Sequence, residues 1–232
     1  MSEYSDNSSL NRAGNASGQP FAGTGRNVPD IAQCFRYMDK YAMLPNIRRH
    51  SIIVARVAWQ IVEELNTSEL ATASVSDQEF VIAGALLHDI AKTPCLKKDC
   101  DHAQTGAEIC NRLGYPEIAC IVAEHVILKD YDISRYRQGI FTAREVIYYA
   151  DKRVRHEEIV SLDDRLEYIL ENYGMGDQVL HGLIKENFDK CVQLEQYFFS
   201  FLPFPPDLLA EKVLGSPPDV ELQTFFEESK GG

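Results

Sequence analysis

A chain of 232 residues, 45% hydrophobic and 25% charged, with 14 Gly and 10 Pro, is long enough for one large domain and too apolar for wholesale disorder; collagen-like and low-complexity sequence is excluded as well. A formal charge of −12 argues against general nucleic-acid binding, which needs a basic footprint, yet leaves phosphate substrates open because a bound metal reverses the local sign. The longest central apolar run, Val81 to Leu87, falls far short of a membrane span, and Met1 to Ser9 has neither the basic start nor the apolar block of an export signal.

Residues 1–28 are rich in Ser, Asn and Gly and nearly devoid of large apolar side chains, which predicts a disordered tail. From Pro29 to about Leu202 the apolar spacing is helical and lacks the period-two alternation of strands, predicting an all-α bundle. Asn46 is a candidate cap for a helix to Leu65 with the stripe Val54, Val57, Ile61 and Leu65. Asp77 caps the next, stopped by Pro94. Asp99 or Asp101 opens a third, ended by Gly114, and Pro116 opens a fourth at a first-turn position. Thr142 starts a fifth through Ile147 and Val154; further helices are expected over Asp163–Asn172 and Asp177–Phe201. Residues 203–232 form a Pro-rich acidic extension of charge −4, with short helices expected at Asp207–Val213 and Val220–Phe226. The six cysteines include no C-x-x-C pair and are expected as reduced thiols, in a cytoplasm.

Six polar residues interrupt the apolar stripes. His50 stands one turn before Val54. His88 and Asp89 follow Leu86 and Leu87 directly. His102 is in phase with Gly106, Ile109 and Leu113, His125 with Ile118, Ile121 and Val122, and Asp151 with Ile147 and Val154. Burying any one costs about 1–3 kcal/mol if it is unpaired, and a lone core histidine is ordinarily just hydrogen bonded. Six together, from five helices, point instead to a metal, since His and carboxylate sets on facing helices are how bundles hold ions. Imidazole with carboxylate suits Fe, Mn, Co, Ni or Zn.

The order His50, His88-Asp89, His102, His125, Asp151 resembles the HD-domain superfamily of metal-dependent phosphohydrolases, whose signature is H…HD…D. The string His88-Asp89-Ile90-Ala91-Lys92 is similar to its HDIG variant, with Ala91 in place of Gly. The resemblance covers about Met43 to Arg155. It implies His50, His88, Asp89 and Asp151 as metal ligands; in members with two ions, His102 and His125 complete the set and Asp89 bridges. It also implies one or two divalent transition metals and hydrolysis of a phosphate ester or anhydride by metal-activated hydroxide.

Four neutral imidazoles, two carboxylates and two divalent ions would leave the site near +2 inside a protein of charge −12, which favours phosphate. Lys92, on the face of His88 and Asp89, is assigned to substrate phosphate, against a solvated lysine that complements the helix dipole. Arg155, one turn after Asp151, is a second candidate phosphate contact, against an ion pair on its own helix; Lys152 and Arg153 are expected at the surface. A zinc knuckle from Cys95, Cys100, His102 and Cys110 is disfavoured by its spacing. Gly114-Tyr115-Pro116 is read as a helix stop, linker and start; His156 and His181 are not counted as ligands, and Tyr148, Tyr149, Phe198 and Phe199 are read as core. Three classes stay open: a nucleotide phosphohydrolase, with dinucleoside polyphosphates among its substrates; a di-iron oxygenase on the same six ligands; and a non-catalytic metal-binding regulatory domain. Expected partners are a small phosphate or nucleotide substrate and a second copy of the chain as a homodimer, with no general nucleic acid and no membrane.

Overall fold

A computed structural model describes residues 27–71, 77–98 and 100–215. The expected tail up to residue 26, Asp99 as a cap and the helix at Val220–Phe226 lie outside the described residues.

Helix α1 (Ile31–Lys40) is capped by Asp30, which accepts from the Gln33 amide. Helix α2 (Pro45–Thr67) starts one residue before Asn46: Pro45 at the first helical position has a preset φ and gives up an N–H that has no helical acceptor. Asp77 caps α3 (Gln78–Leu87), where every residue from Phe80 to Leu87 is buried. Gly84 makes this centre feasible, since a Cβ there would meet Ile121 Cδ1 and Ile147 Cδ1 at 2.8 Å. The helix ends at Leu87 rather than at Pro94. Residues 88–91 turn, and α4 (Lys92–Lys98) begins with Pro94 in its first turn, where a missing N–H leaves no helical bond unmade.

Asp101 caps α5 (His102–Arg112) through the amides of Ala103 and Gln104. Gly114, at φ +88°, ends that arm, and Pro116 opens α6 (Pro116–Glu124) as expected. After the short α7 (Ile133–Tyr136), α8 (Ala143–Lys152) opens on a reciprocal capping box between Thr142 and Glu145. It stops before Val154, which instead pairs with Ile159 in a two-residue hairpin of β1 (Val154–Arg155) and β2 (Glu158–Ile159). Ser161 caps α9 (Leu162–Tyr173), and Asp177 caps α10 (Gln178–Phe199). The extension then enters a 3-10 turn (Pro206–Leu208) and α11 (Leu209–Gly215).

The fold is all-α apart from the one small hairpin among the described residues. Helices α2, α3, α6 and α8 pack on one another around the buried stripes, α5 lies on α6, α9 on α10, and α11 on α2. Tyr148, Tyr149 and Phe198 are fully buried and Phe199 packs against them, as core. Two expectations are corrected here. Cys95 and Cys100 form a disulfide, so not all six cysteines are free thiols and this pair offers no zinc ligand; Cys34, Cys110 and Cys191 are buried thiols and Cys120 an exposed one. Lys152 and Arg153 are buried, because α10 and the chain near Pro206 cover the side of α8 that its own periodicity leaves open: Arg153 reaches Glu195 at 2.8 Å and the carbonyl of Pro206 at 3.2 Å. Among the described residues no helix is long and apolar enough to cross a membrane.

Candidate metal centre

Five helices deliver the six expected donors to one place. His50 lies in the second turn of α2, His88 ends α3, Asp89 follows it, His102 begins α5, His125 ends α6, and Asp151 is in the last turn of α8. Donor atoms of His50, His88 and Asp89 lie within 4.8 Å of one another, and so do those of Asp89, His102 and His125. Asp89 therefore belongs to both groups. Its Oδ2 is 3.4 Å from His88 Nε2, and its Oδ1 is 3.4 Å from His102 Nε2 and 3.5 Å from His125 Nε2. Asp151 closes the first group, with Oδ1 3.1 Å from His50 Nε2 and 3.6 Å from His88 Nε2.

Three rings are oriented by backbone carbonyls. Nδ1 of His50 lies 3.1 Å from the carbonyl of His156, that of His88 2.6 Å from Ala85, and that of His125 2.7 Å from Val122. A carbonyl only accepts, so each Nδ1 carries a proton, and each ring in its neutral form turns an Nε2 lone pair inward, the tautomer a metal requires. His102 Nε2 and His125 Nε2 face each other at 3.2 Å, a contact that two lone pairs alone would make repulsive. His88 Nε2 and Asp89 Oδ1 are buried without a hydrogen-bond partner. Orphaned buried polar atoms are costly, and here both are ligand atoms aimed at shared space. The donor set fits one or two divalent transition ions.

Charges around the nest follow from this crowding. Burial opposes charge on His88, yet Asp89 and Asp151 overcome it and push the ring up to about 9. Burial holds His50 down against the pull of Asp151, and takes His102 down to about 4. Asp89 stays well below the usual carboxylate range despite burial, because Lys92, His88 and His125 surround it; His50, His88 and Lys152, all close to its carboxylate, do the same for Asp151.

Lys92 donates to Asp89 Oδ2 at 2.8 Å, and its side chain is 31% exposed beside a carboxylate that is 1% exposed. The amine thus stands between the nest and solvent. Arg155 is placed on the hairpin, paired with Glu158 at 3.0 Å. Lys152, read from sequence as surface charge, reaches the site from within: its amine donates to the carbonyl of His125 at 2.8 Å and lies 3.5 Å from Asp151 Oδ2, over the ring of Tyr148. It braces α6 against α8. No sequence signal separates it from a solvated lysine, since the helices that cover it are distant in the chain. His156 is exposed and contributes its carbonyl instead of its ring.

A helical bundle with a buried His and Asp nest is a metal-binding architecture. The family model of the HD domain matches residues 47–169, more than half of the chain and all six donors; the chain belongs to the HD-domain family. Domains of this family bind divalent metals and are in general hydrolases. No solved structure matches the chain.

Proposed function

We propose that the protein hydrolyses a phosphate ester or anhydride of a nucleotide, dinucleoside polyphosphates included. The observation that carries this reading is the pair of donor groups sharing Asp89, with three imidazoles held in the Nε2-donor tautomer and a lysine amine at the opening. His50, His88, Asp89 and Asp151, and Asp89, His102 and His125, would hold divalent ions, which would supply Lewis acidity toward phosphate and toward coordinated water. The chain's own residues do the rest. Carbonyls of Ala85, Val122 and His156 fix the ring orientations, Lys152 holds Asp151 against His125, and the core around α3 excludes bulk water from the inner side. Lys92 meets negative charge on the phosphoryl group that is transferred. Arg155, engaged by Glu158, is the lesser phosphate contact.

The test is phosphate release from a panel of nucleotides and dinucleoside polyphosphates under nitrogen, on protein reloaded with Mn²⁺. Release is expected, and Lys92→Met should lower turnover by about 10²–10³, the usual cost of losing one electrostatic stabiliser, with metal content unchanged. Silence under nitrogen, with activity restored only by iron and air, would assign the site to oxygen chemistry instead.

A further inference from the structure

Helix α9 follows the hairpin that carries the His50 acceptor, and it presents groups that the six donors do not use. At its start the hairpin turns at His156, whose φ of +56° is left-handed; the carbonyl of His156 accepts a hydrogen bond from His50 Nδ1, and its ring stands against Tyr168, centroids 5.2 Å apart at 81°. Tyr168 in turn meets Tyr173, 6.4 Å away at 65°. The Tyr173 hydroxyl is within electrostatic reach of the Lys92 amine. The three rings therefore run in a row from the residue that orients His50. Tyr173 is 55% exposed, much for an aromatic ring beside a functional opening.

One turn before Tyr168 lies Arg165. It is nine-tenths buried, its guanidinium carbon is 5.5 Å from the centre of the Tyr168 ring, and its Nε has no hydrogen-bond partner. No carboxylate pairs with it among the described residues. Arg153, the other arginine buried among the described residues, has Glu195. Arg165 also lies near enough to Lys152 for the two positive charges to oppose each other. A buried guanidinium that faces a second cation and lacks an anion is unfavourable in the free protein. An anion arriving from outside would relieve it.

We propose that Arg165, Tyr168 and Tyr173 form a recognition rim for a nucleoside polyphosphate, Arg165 binding a phosphate beyond the one at the metal nest and the tyrosine rings stacking on the base. The rim rests on the phosphohydrolase reading for what sits at the nest, and it adds a requirement for more than one phosphate. A planar guanidinium suits a phosphate's paired oxygens, and stacking on tyrosine tolerates any base. Lys92 and Arg165 would then divide the work: one at the reacting phosphate, the other at its neighbour.

Calorimetric titration of the Mn²⁺-loaded full chain with AMP, α,β-methylene-ADP and methylenediphosphonate tests this. Arg165→Met keeps the bulk of the side chain; it should weaken the two diphosphonates about tenfold or more while AMP changes less than about twofold. Arg165→Lys should recover part of the loss. Tyr173→Ala, at an exposed position where folding is not at stake, should weaken AMP and α,β-methylene-ADP about tenfold and leave methylenediphosphonate unchanged. Parallel weakening of all three ligands by Arg165→Met, or affinities indifferent to both substitutions, would overturn the rim. Phosphate release by a protein with indifferent affinities removes the rim and leaves the hydrolase reading standing. Rim-dependent binding with no release from any nucleotide supports the rim and removes that reading.

Discussion

Asp89 is the one donor common to both groups, and replacing it with Asn separates a two-ion nest from two independent sites. The substitution conserves size and leaves the buried carbons in place, so the metal-free fold should survive. It takes away the charge that three imidazoles and Lys92 converge on; Lys92, one-third exposed, regains water. In the parent protein an ion at a hundredfold excess over its dissociation constant stabilises the fold by about 2.7 kcal/mol. For a domain of this size that is a rise of about 5–11 °C in Tm, at about 2–4 °C for each kcal/mol. Asp89→Asn should lose both the rise and the bound metal. His102→Ala removes a member of one group only, so it should keep the ion held by His50, His88 and Asp89. The assay is elemental analysis after reloading with Mn²⁺, paired with melting curves with and without the ion. Full metal content and an undiminished rise in Asp89→Asn would refute the shared-ligand reasoning, as would loss of all metal in His102→Ala.

Metal affinity should depend on pH with a definite sign. His88 in the metal-free protein holds its proton up to about 9, and a metal must displace it, so affinity should climb about tenfold per unit between neutrality and that value and fall as the pH drops; a flat profile by competition titration would show that Nε2 is not a ligand. Reduction of the Cys95–Cys100 bridge, or Cys100→Ser, should cost at most about 2 kcal/mol by chain entropy for so short a loop, with metal content retained; loss of the ions on reduction would tie the bridge to the nest. Gly84→Ala puts a methyl against Ile121 and Ile147 and should destabilise by about 1–3 kcal/mol in chemical denaturation, whereas an unchanged midpoint would mean that α6 and α8 yield freely.

The donors were readable from sequence because each sits in phase with an apolar stripe on its own helix, and helical phase is a local property. Helix starts at Asp77, Asp101, Pro116, Thr142 and Asp177 were readable for the same reason: a cap or a proline acts within one turn. What escaped depends on distant chain. Lys152 and Arg153 lie off the stripe of α8 and look solvated until α10 and the segment at Pro206 close over them. Glu145 is fully buried and ion-paired to Arg135 at 2.9 Å, a partner on a separate short helix that the phase of α8 does not reveal. Pro94 reads as a stop yet stands in the first turn of the following helix, since proline is tolerated equally just after one helix and just inside the next. The pairing of Cys95 with Cys100 leaves no trace in spacing alone.

Helix α11 bears on how the molecule comes into being during synthesis. All six donors have been made once the ribosome passes Asp151, yet α2, which carries His50, is closed on its outer side only when Arg56 donates to the carbonyl of Val213, 157 residues further along, at 2.8 Å. Phe204, Leu209 and Val213 are all buried in that closure, and Glu195 must arrive before Arg153 has its partner. A nascent chain just beyond Asp151 thus owns a complete set of ligands on an unfinished scaffold. Such long-range closure is intrinsically slower than the local helices it locks. Ions encountered in that interval meet flexible donors with little power to choose among metals, and geometric selection begins only when α11 docks.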